Sequence, residues 1–279
     1  MAAEARVREA SLTSRDGTRL RVRVWMVDRP VVWVVVAHGL GEHSGRYDRL
    51  ARALGHHDIG CCALDLRGMG QSPGRRGHLD RWQQWIDDFA TLYDNVVEES
   101  EGEEVVPLGH SFGGVVVTTA VLHGDIKPER FVLSNPAFRA AVEVPPWKLR
   151  LARFASRVAP ALTLSNGVDP SLLSRDAAVV EEYRSDRLVH DRLSARLATE
   201  WMAASQEALE RAGELTVPFL LIVGLEDRII DPQGAAEFSA RATVDHTLKL
   251  YQGRYHEPFN DLDSEQVFAD LAAWLLRQS

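Results

Sequence analysis

The sequence predicts an α/β fold: a mostly parallel, eight-stranded sheet flanked by helices, with a helical segment inserted between two core strands. Three observations carry this reading. Apolar, β-branched runs alternate with helically spaced stretches along most of the chain. Such alternation marks βα units, whose crossovers leave the strands parallel. The alternation stops from Ala137 to about Leu215, where the pattern is helical and rich in Arg, Leu and Ala. The first two strand-like runs alternate apolar and polar residues around Arg15-Asp16-Gly17, as a hairpin with one wet face does.

Taken in order, residues 7–13 and 19–27 form that hairpin. Residues 31–37 are nearly all β-branched, which suits a strand buried on both faces. Residues 44–54 have helical spacing, 59–64 read as a strand and 81–98 as a long helix. Residues 105–108 form a short strand, 112–123 a helix and 131–134 a strand. After the insertion, 219–224 read as a strand, 232–240 as a helix, 246–251 as a strand and 264–278 as a helix. The core is therefore expected from 1–137 and 216–279, and a helical lid from 138–215.

The composition narrows the function classes. At 279 residues, with 45% hydrophobic and 26% charged side chains, the chain has enough apolar matter for a core without metal or disulfide. A net charge of -8 opposes a nucleic-acid partner, because phosphate binding needs a basic field. The only cysteines, Cys61 and Cys62, are adjacent in an apolar run and read as two buried thiols. That suits a reducing compartment. The first six residues lack the apolar stretch of a signal peptide, and no run reaches the roughly 18 apolar residues of a spanning helix. The expected location is cytoplasmic.

The segment from Val105 to Gly114 is the most informative. It sets Gly109-His110-Ser111-Phe112-Gly113, a G-x-S-x-G, between an apolar strand and an apolar helix. That context distinguishes a nucleophile elbow from a chance match. A serine hydroxyl is a weak nucleophile and needs a base. On an elbow of this kind the chain order is serine, acid, histidine. Of the late histidines, His246 opens a strand, whereas His256 lies in a loop just beyond it. Loops at the carboxyl ends of parallel strands are where active-site groups gather, so His256 is the expected base. The acid should follow the strand at 219–224, with Glu226, Asp227 and Asp231 as candidates. Asp227 sits at a sharp strand exit, Asp231 precedes Pro232 like a helix N-cap, and Glu226 reads as solvated. Asp227 is preferred. Two N–H donors for an oxyanion are expected from Phe112, after the nucleophile, and from the glycine-rich loop around Leu40. His38 and His43 read as structural.

Several segments together give a resemblance. His38 to Tyr47 reads H-G-L-G-E-H-S-G-R-Y, Asp65 to Ser72 reads D-L-R-G-M-G-Q-S, and Gly109 to Gly114 reads G-H-S-F-G-G. Leu133-Ser134-Asn135-Pro136-Ala137 leads into the insertion. The chain resembles the monoacylglycerol lipase and lysophospholipase-like branch of the α/β-hydrolases. Phe112 stands where methionine is common, and Asn135 where serine is frequent. The resemblance implies an α/β-hydrolase fold, a Ser111–Asp227–His256 triad and an oxyanion hole from the amides of Leu40 and Phe112. It implies ester hydrolysis without metal or organic cofactor, on monoacylglycerol or lysophospholipid as the lipid ester substrate. It covers the core on both sides of the insertion; the insertion itself is only generically similar.

Within the insertion, Trp147, Leu151, Phe154, Val158 and Leu162 recur at helical spacing beside Arg150, Arg153 and Arg157. A basic amphipathic helix predicts peripheral membrane contact through this stripe. The competing reading packs the stripe on the core and leaves the arginines solvated. Two rival functions share the fold. An aminopeptidase-like or short-chain esterase would use the same triad, with Glu181-Glu182 as a candidate amine anchor. A non-catalytic binding protein would lack a triad member.

Overall fold

In the computed structural model, residues 6–142 and 145–277 are described. The expected end of the last helix, Gln278, and the first five residues lie outside them. The chain runs β1 (Arg6–Thr13), β2 (Arg19–Met26), β3 (Val32–Ala37), α1 (Asp48–Gly55), β4 (Ile59–Leu64), α2 (Gln83–Glu99), β5 (Glu104–His110), α3 (Phe112–His123) and β6 (Phe131–Ser134). It continues through α4 (Pro146–Val158), β7 (Thr163–Ser165), α5 (Ala177–Ser185), β8 (Arg192–Ser194) and α6 (Ala195–Arg211). It ends with β9 (Phe219–Gly224), α7 (Pro232–Arg241), β10 (His246–Tyr251) and α8 (Glu265–Leu275).

Eight strands form one sheet in the order β1-β2-β4-β3-β5-β6-β9-β10. The β1–β2 and β2–β4 pairs are antiparallel, and every other pair in the sheet is parallel. β4 is buried at all six positions and β9 likewise, as parallel strands covered on both faces must be. Side chains alternate between two cores. Val35, Ala37, Cys62 and Leu64 face one with α2 and α3; Val34, Val36, Cys61 and Ala63 face the other with α1 and α8. Each fully buried Val or Leu there contributes about 1.5–3 kcal/mol. The same alternation sends the adjacent cysteines to opposite faces, where burial raises both thiol pKa values.

Two features depart from the sequence reading. The helix expected over 44–54 begins as a 3-10 turn at Ser44–Tyr47 before α1. The His43 ring accepts from the Gly45 N–H there, and the Tyr47 ring is buried, which tightens the first turn. The segment between β6 and β9 is not wholly helical: β7 and β8 pair antiparallel over three residues each. α4 stops at Val158, because Pro160 disfavours helical geometry at Ala159, which sits at φ -143°, ψ 59°. Leu162 therefore lies outside the helix that carries Trp147, Leu151, Phe154 and Val158. Those four are 61%, 57%, 63% and 64% exposed, so the stripe does not pack on the core. α4 instead turns Leu149, Ala152, Ala155 and Ser156 inward, and the Ser156 and Thr199 hydroxyls hydrogen-bond at 2.9 Å to α6. Among the described residues no helix is long and apolar enough to cross a membrane.

Candidate active site

The site forms where β5 turns into α3. Ser111 sits in that turn at φ 53°, ψ -119°, a left-handed conformation that costs a non-glycine residue about 1–3 kcal/mol. The conformation is held by backbone bonds: Ser111 N–H donates to Ser134 O at 3.0 Å, and Ala137 N–H donates to Ser111 O at 2.9 Å. Glycine is required on either side. A Cβ at Gly113 would run into the Ala37 carbonyl, and one at Gly109 into the Gly113 carbonyl. The turn leaves Ser111 at the start of α3, where the first N–H groups lack intrahelical partners.

His256 comes from the loop after β10. Its Nε2 lies 3.0 Å from Ser111 Oγ and its Nδ1 2.7 Å from Asp227 Oδ2. Asp227, at the exit of β9, also accepts through Oδ1 from the N–H groups of Ile229 and Ile230, at 2.8 and 2.9 Å. Asn135 Nδ2 donates to Asp227 Oδ2 at 2.7 Å, while Asn135 Oδ1 accepts from Gly224 N–H at 2.8 Å. With Oδ2 accepting from both Asn135 and the imidazole, Nδ1 is the protonated nitrogen and Nε2 is left to accept from Ser111.

Burial opposes the charge on Asp227, but His256 and the two backbone N–H groups outweigh it, and its pKa is lowered. Burial likewise opposes protonation of His256. Asp227, with Glu257 and Glu42 behind it, reverses the balance and raises the imidazole above its ordinary value. His110 lies beside His256, ring centroids 5.0 Å apart, and burial together with that neighbour lowers its pKa to about 4. It is neutral at ordinary pH.

The loop after β3 closes the other side. A Cβ on Gly39 would stand 3.3 Å from Ser111 Cβ, so the loop lies against Ser111. Gly39, Leu40, Ser111, Phe112 and His256 share one small pocket. The loop is fixed by Glu42, whose Oε1 accepts from Gly39 N–H at 2.5 Å and from Tyr47 Oη at 2.8 Å. Arg46 then donates from Nε to Glu42 at 3.1 Å and from a terminal nitrogen to Glu257 at 2.6 Å. Its guanidinium lies 4.7 Å over the Tyr183 ring of α5. Burial works against the Glu42 charge, yet His110 and Arg46 lower its pKa to about 2.

The remaining candidates lie elsewhere. His246 bonds Ser239 and stacks on Phe219 within the sheet. Asp231 caps α7 by accepting from Gln233 N–H, and Glu226 meets Gln252 near the surface. His38 accepts from Leu66 N–H and so buttresses its loop; His43 pairs with Asp186 at 2.8 Å. Glu181 and Glu182 are exposed on α5. The sequence reading missed the roles of Asn135, Glu42, Arg46 and Glu257. The four-residue spacing of Glu42 and Arg46 was a usable signal for one of these pairs.

Comparison with known proteins places the chain in a family. The chain is 35% identical over 271 residues to the monoacylglycerol lipase of Mycolicibacterium smegmatis, covering 96% of each. It is 33% identical over 277 residues to an uncharacterized abhydrolase domain-containing protein of Dictyostelium discoideum, of whose length it spans 28%. The crystal structure of Paleococcus ferrophilus monoacylglycerol lipase superposes with a TM-score of 0.82 at 36% identity, covering 92% of this chain and 98% of that one. The family model described as "Serine aminopeptidase, S33" matches residues 28–263. The chain thus belongs to this Hydrolase_4 family and has the α/β-hydrolase fold.

Proposed function

We propose that the protein is a serine hydrolase that cleaves carboxylic esters of lipids, monoacylglycerols foremost, through an acyl-enzyme on Ser111. The observation that carries this is the relay of 3.0 Å from Ser111 to His256 and 2.7 Å from His256 to Asp227. The monoacylglycerol lipases similar to this chain supply the substrate class.

In this reading His256 takes the Ser111 proton as Oγ attacks the ester carbonyl, and Asp227 holds the tautomer and steadies the imidazolium. The amides of Leu40 and Phe112 receive the oxyanion. His256 then protonates the leaving alcohol. Water, deprotonated by the same imidazole, attacks the acyl-enzyme and frees the fatty acid.

Residues 138–215 act as a lid over the core formed by 1–137 and 216–279. Its α4 rests on a membrane surface: Trp147, Leu151 and Phe154 insert, and Arg150, Arg153 and Arg157 meet anionic headgroups. The exposure of that stripe supports this. The protein would otherwise reside in a reducing, cytoplasmic compartment, consistent with two buried free thiols.

A substrate panel tests the reading. It compares monoacylglycerols, lysophosphatidylcholine, short p-nitrophenyl esters and aminoacyl amides. Monoacylglycerols should give the highest kcat/KM. Preference for aminoacyl amides would favour the aminopeptidase chemistry of the family's description, and no turnover of any member would favour a binding protein.

A further inference from the structure

The Ser111 pocket, which is partly open, holds about 60 Å³, room for a few water molecules at roughly 15 Å³ each and far less than a lipid acyl chain requires. A much larger cleft of about 890 Å³ lies between α4, α6 and the chain leaving β6. Its lining is mixed: Phe138, Ala140, Leu149, Trp201 and Met202 supply apolar surface, and Arg139, Arg153 and Asp231 supply charge.

The two spaces share a wall. Ile229, Ile230 and Phe112 line the Ser111 pocket. Ala140 bridges Ile230, and Ala141 N–H donates to Ile229 O at 3.0 Å, so those two cleft residues are bonded edge to edge with two pocket residues. Trp201, on the cleft side, stacks on Phe112 with ring centroids 4.6 Å apart at 29°.

The parts of this wall differ in how they are held. The segments 229–230 and 140–141 are bonded backbone to backbone, and Phe112 is in the first turn of α3. Trp201 is half-buried on α6, where it packs at the edge of the core, stacks on Phe112 and donates from Nε1 to Ala137 O at 2.8 Å. A rotamer change there would cost that stack and the bond to the Ala137 carbonyl, but no backbone-to-backbone bond. Glu42, Tyr183 and Glu257 cluster on Arg46, and Val168 and Leu173 belong to the segment before α5; the Phe112–Ile230 wall is the apolar side of the pocket that faces the cleft.

We propose that Trp201 is a movable partition between the Ser111 pocket and the α4–α6 cleft, and that acyl chains too long for the pocket reach the cleft only when its indole swings aside. Trp201 is then the residue that sets acyl-length preference. This rests on the ester-hydrolase reading above. It adds a specificity-determining position outside the relay.

The test is kcat/KM across a series of monoacylglycerols from butyryl to oleoyl. Trp201→Ala should raise the long-to-short ratio by about tenfold or more, the scale on which apolar pockets sort chain length. Trp201→Phe keeps a ring on Phe112 but loses the bond to Ala137 O, and should shift the ratio in the same direction by less. Ala141→Phe narrows the cleft without touching Trp201 and should lower the ratio. A uniform fall at every length in Trp201→Ala would mean the indole only supports Phe112, and would overturn the proposal. So would an unchanged ratio in Ala141→Phe, which stands even where Trp201→Ala does not fold. Wild type that turns over no ester at any length would instead indict the hydrolase reading itself.

Discussion

Arg46 and Glu257 form a buried ion pair at 2.6 Å, although one belongs to the turn after β3 and the other follows His256. The same guanidinium holds Glu42 and stacks on Tyr183 of the segment between β6 and β9. One buried cation therefore joins the loop after β3, the loop of His256 and the segment between β6 and β9. Arg46 side-chain exposure is 5%, and Glu42 and Glu257 are equally sheltered. Arg46→Gln would leave two buried carboxylates without their cation. The expected cost is about 3–5 kcal/mol of stability, measured by urea denaturation. Arg46→Lys should recover only part of it, because an ammonium cannot span both carboxylates as the planar fork does.

The acid limb of the pH–rate profile should belong to His256. The base must be neutral, and the pKa of His256 is raised above the ordinary histidine value. Activity should therefore fall as pH drops through a point higher than for an isolated histidine. His110, at about 4, does not titrate there. Asp227→Asn removes the largest of the influences that raise the imidazole. It should move the limb to lower pH and cut kcat by about 10⁴. A rate that stays flat from mildly acidic to neutral pH would contradict this role for His256.

Asn135 should matter to turnover without touching substrate. Its amide bridges Asp227 and Gly224, and it holds a positive φ of 40° that asparagine tolerates better than most residues. Asn135→Ala loses both bonds and strains the turn. It should destabilise the fold by about 1–3 kcal/mol and lower kcat more than it raises KM. Asn135→Ser, which keeps a short polar side chain in the turn, should rescue part of the kcat.

Membrane contact through α4 has a direct readout. Wild type should co-sediment with anionic liposomes, and the triple change of Arg150, Arg153 and Arg157 to Gln should weaken that by about 1 kcal/mol per charge. Raised salt should weaken it too. Equal partition of the two proteins would remove the membrane role.

The sheet was legible in the sequence because parallel strands buried on both faces must be continuous apolar runs, as in β3, β4 and β9. The insertion was less so. β7 and β8 are three residues each and pair across α5, which no local periodicity reveals. Pro160 was visible as a break, yet the exposed stripe of Trp147 to Val158 looks in sequence like any core-facing helix. Ser111, Asp227 and His256 could be singled out because each follows a strand's carboxyl end. Asn135 and Glu257 were hidden because their partners lie far along the chain; the bond from Arg46 to Glu257, for example, spans 211 positions.

Labelling with a fluorophosphonate, followed by peptide mapping, tests the central claim most directly. A single phosphonyl adduct on Ser111 is expected, slowed strongly in His256→Ala and absent in Ser111→Ala. An adduct on any other side chain, or undiminished labelling of Ser111→Ala, would contradict it.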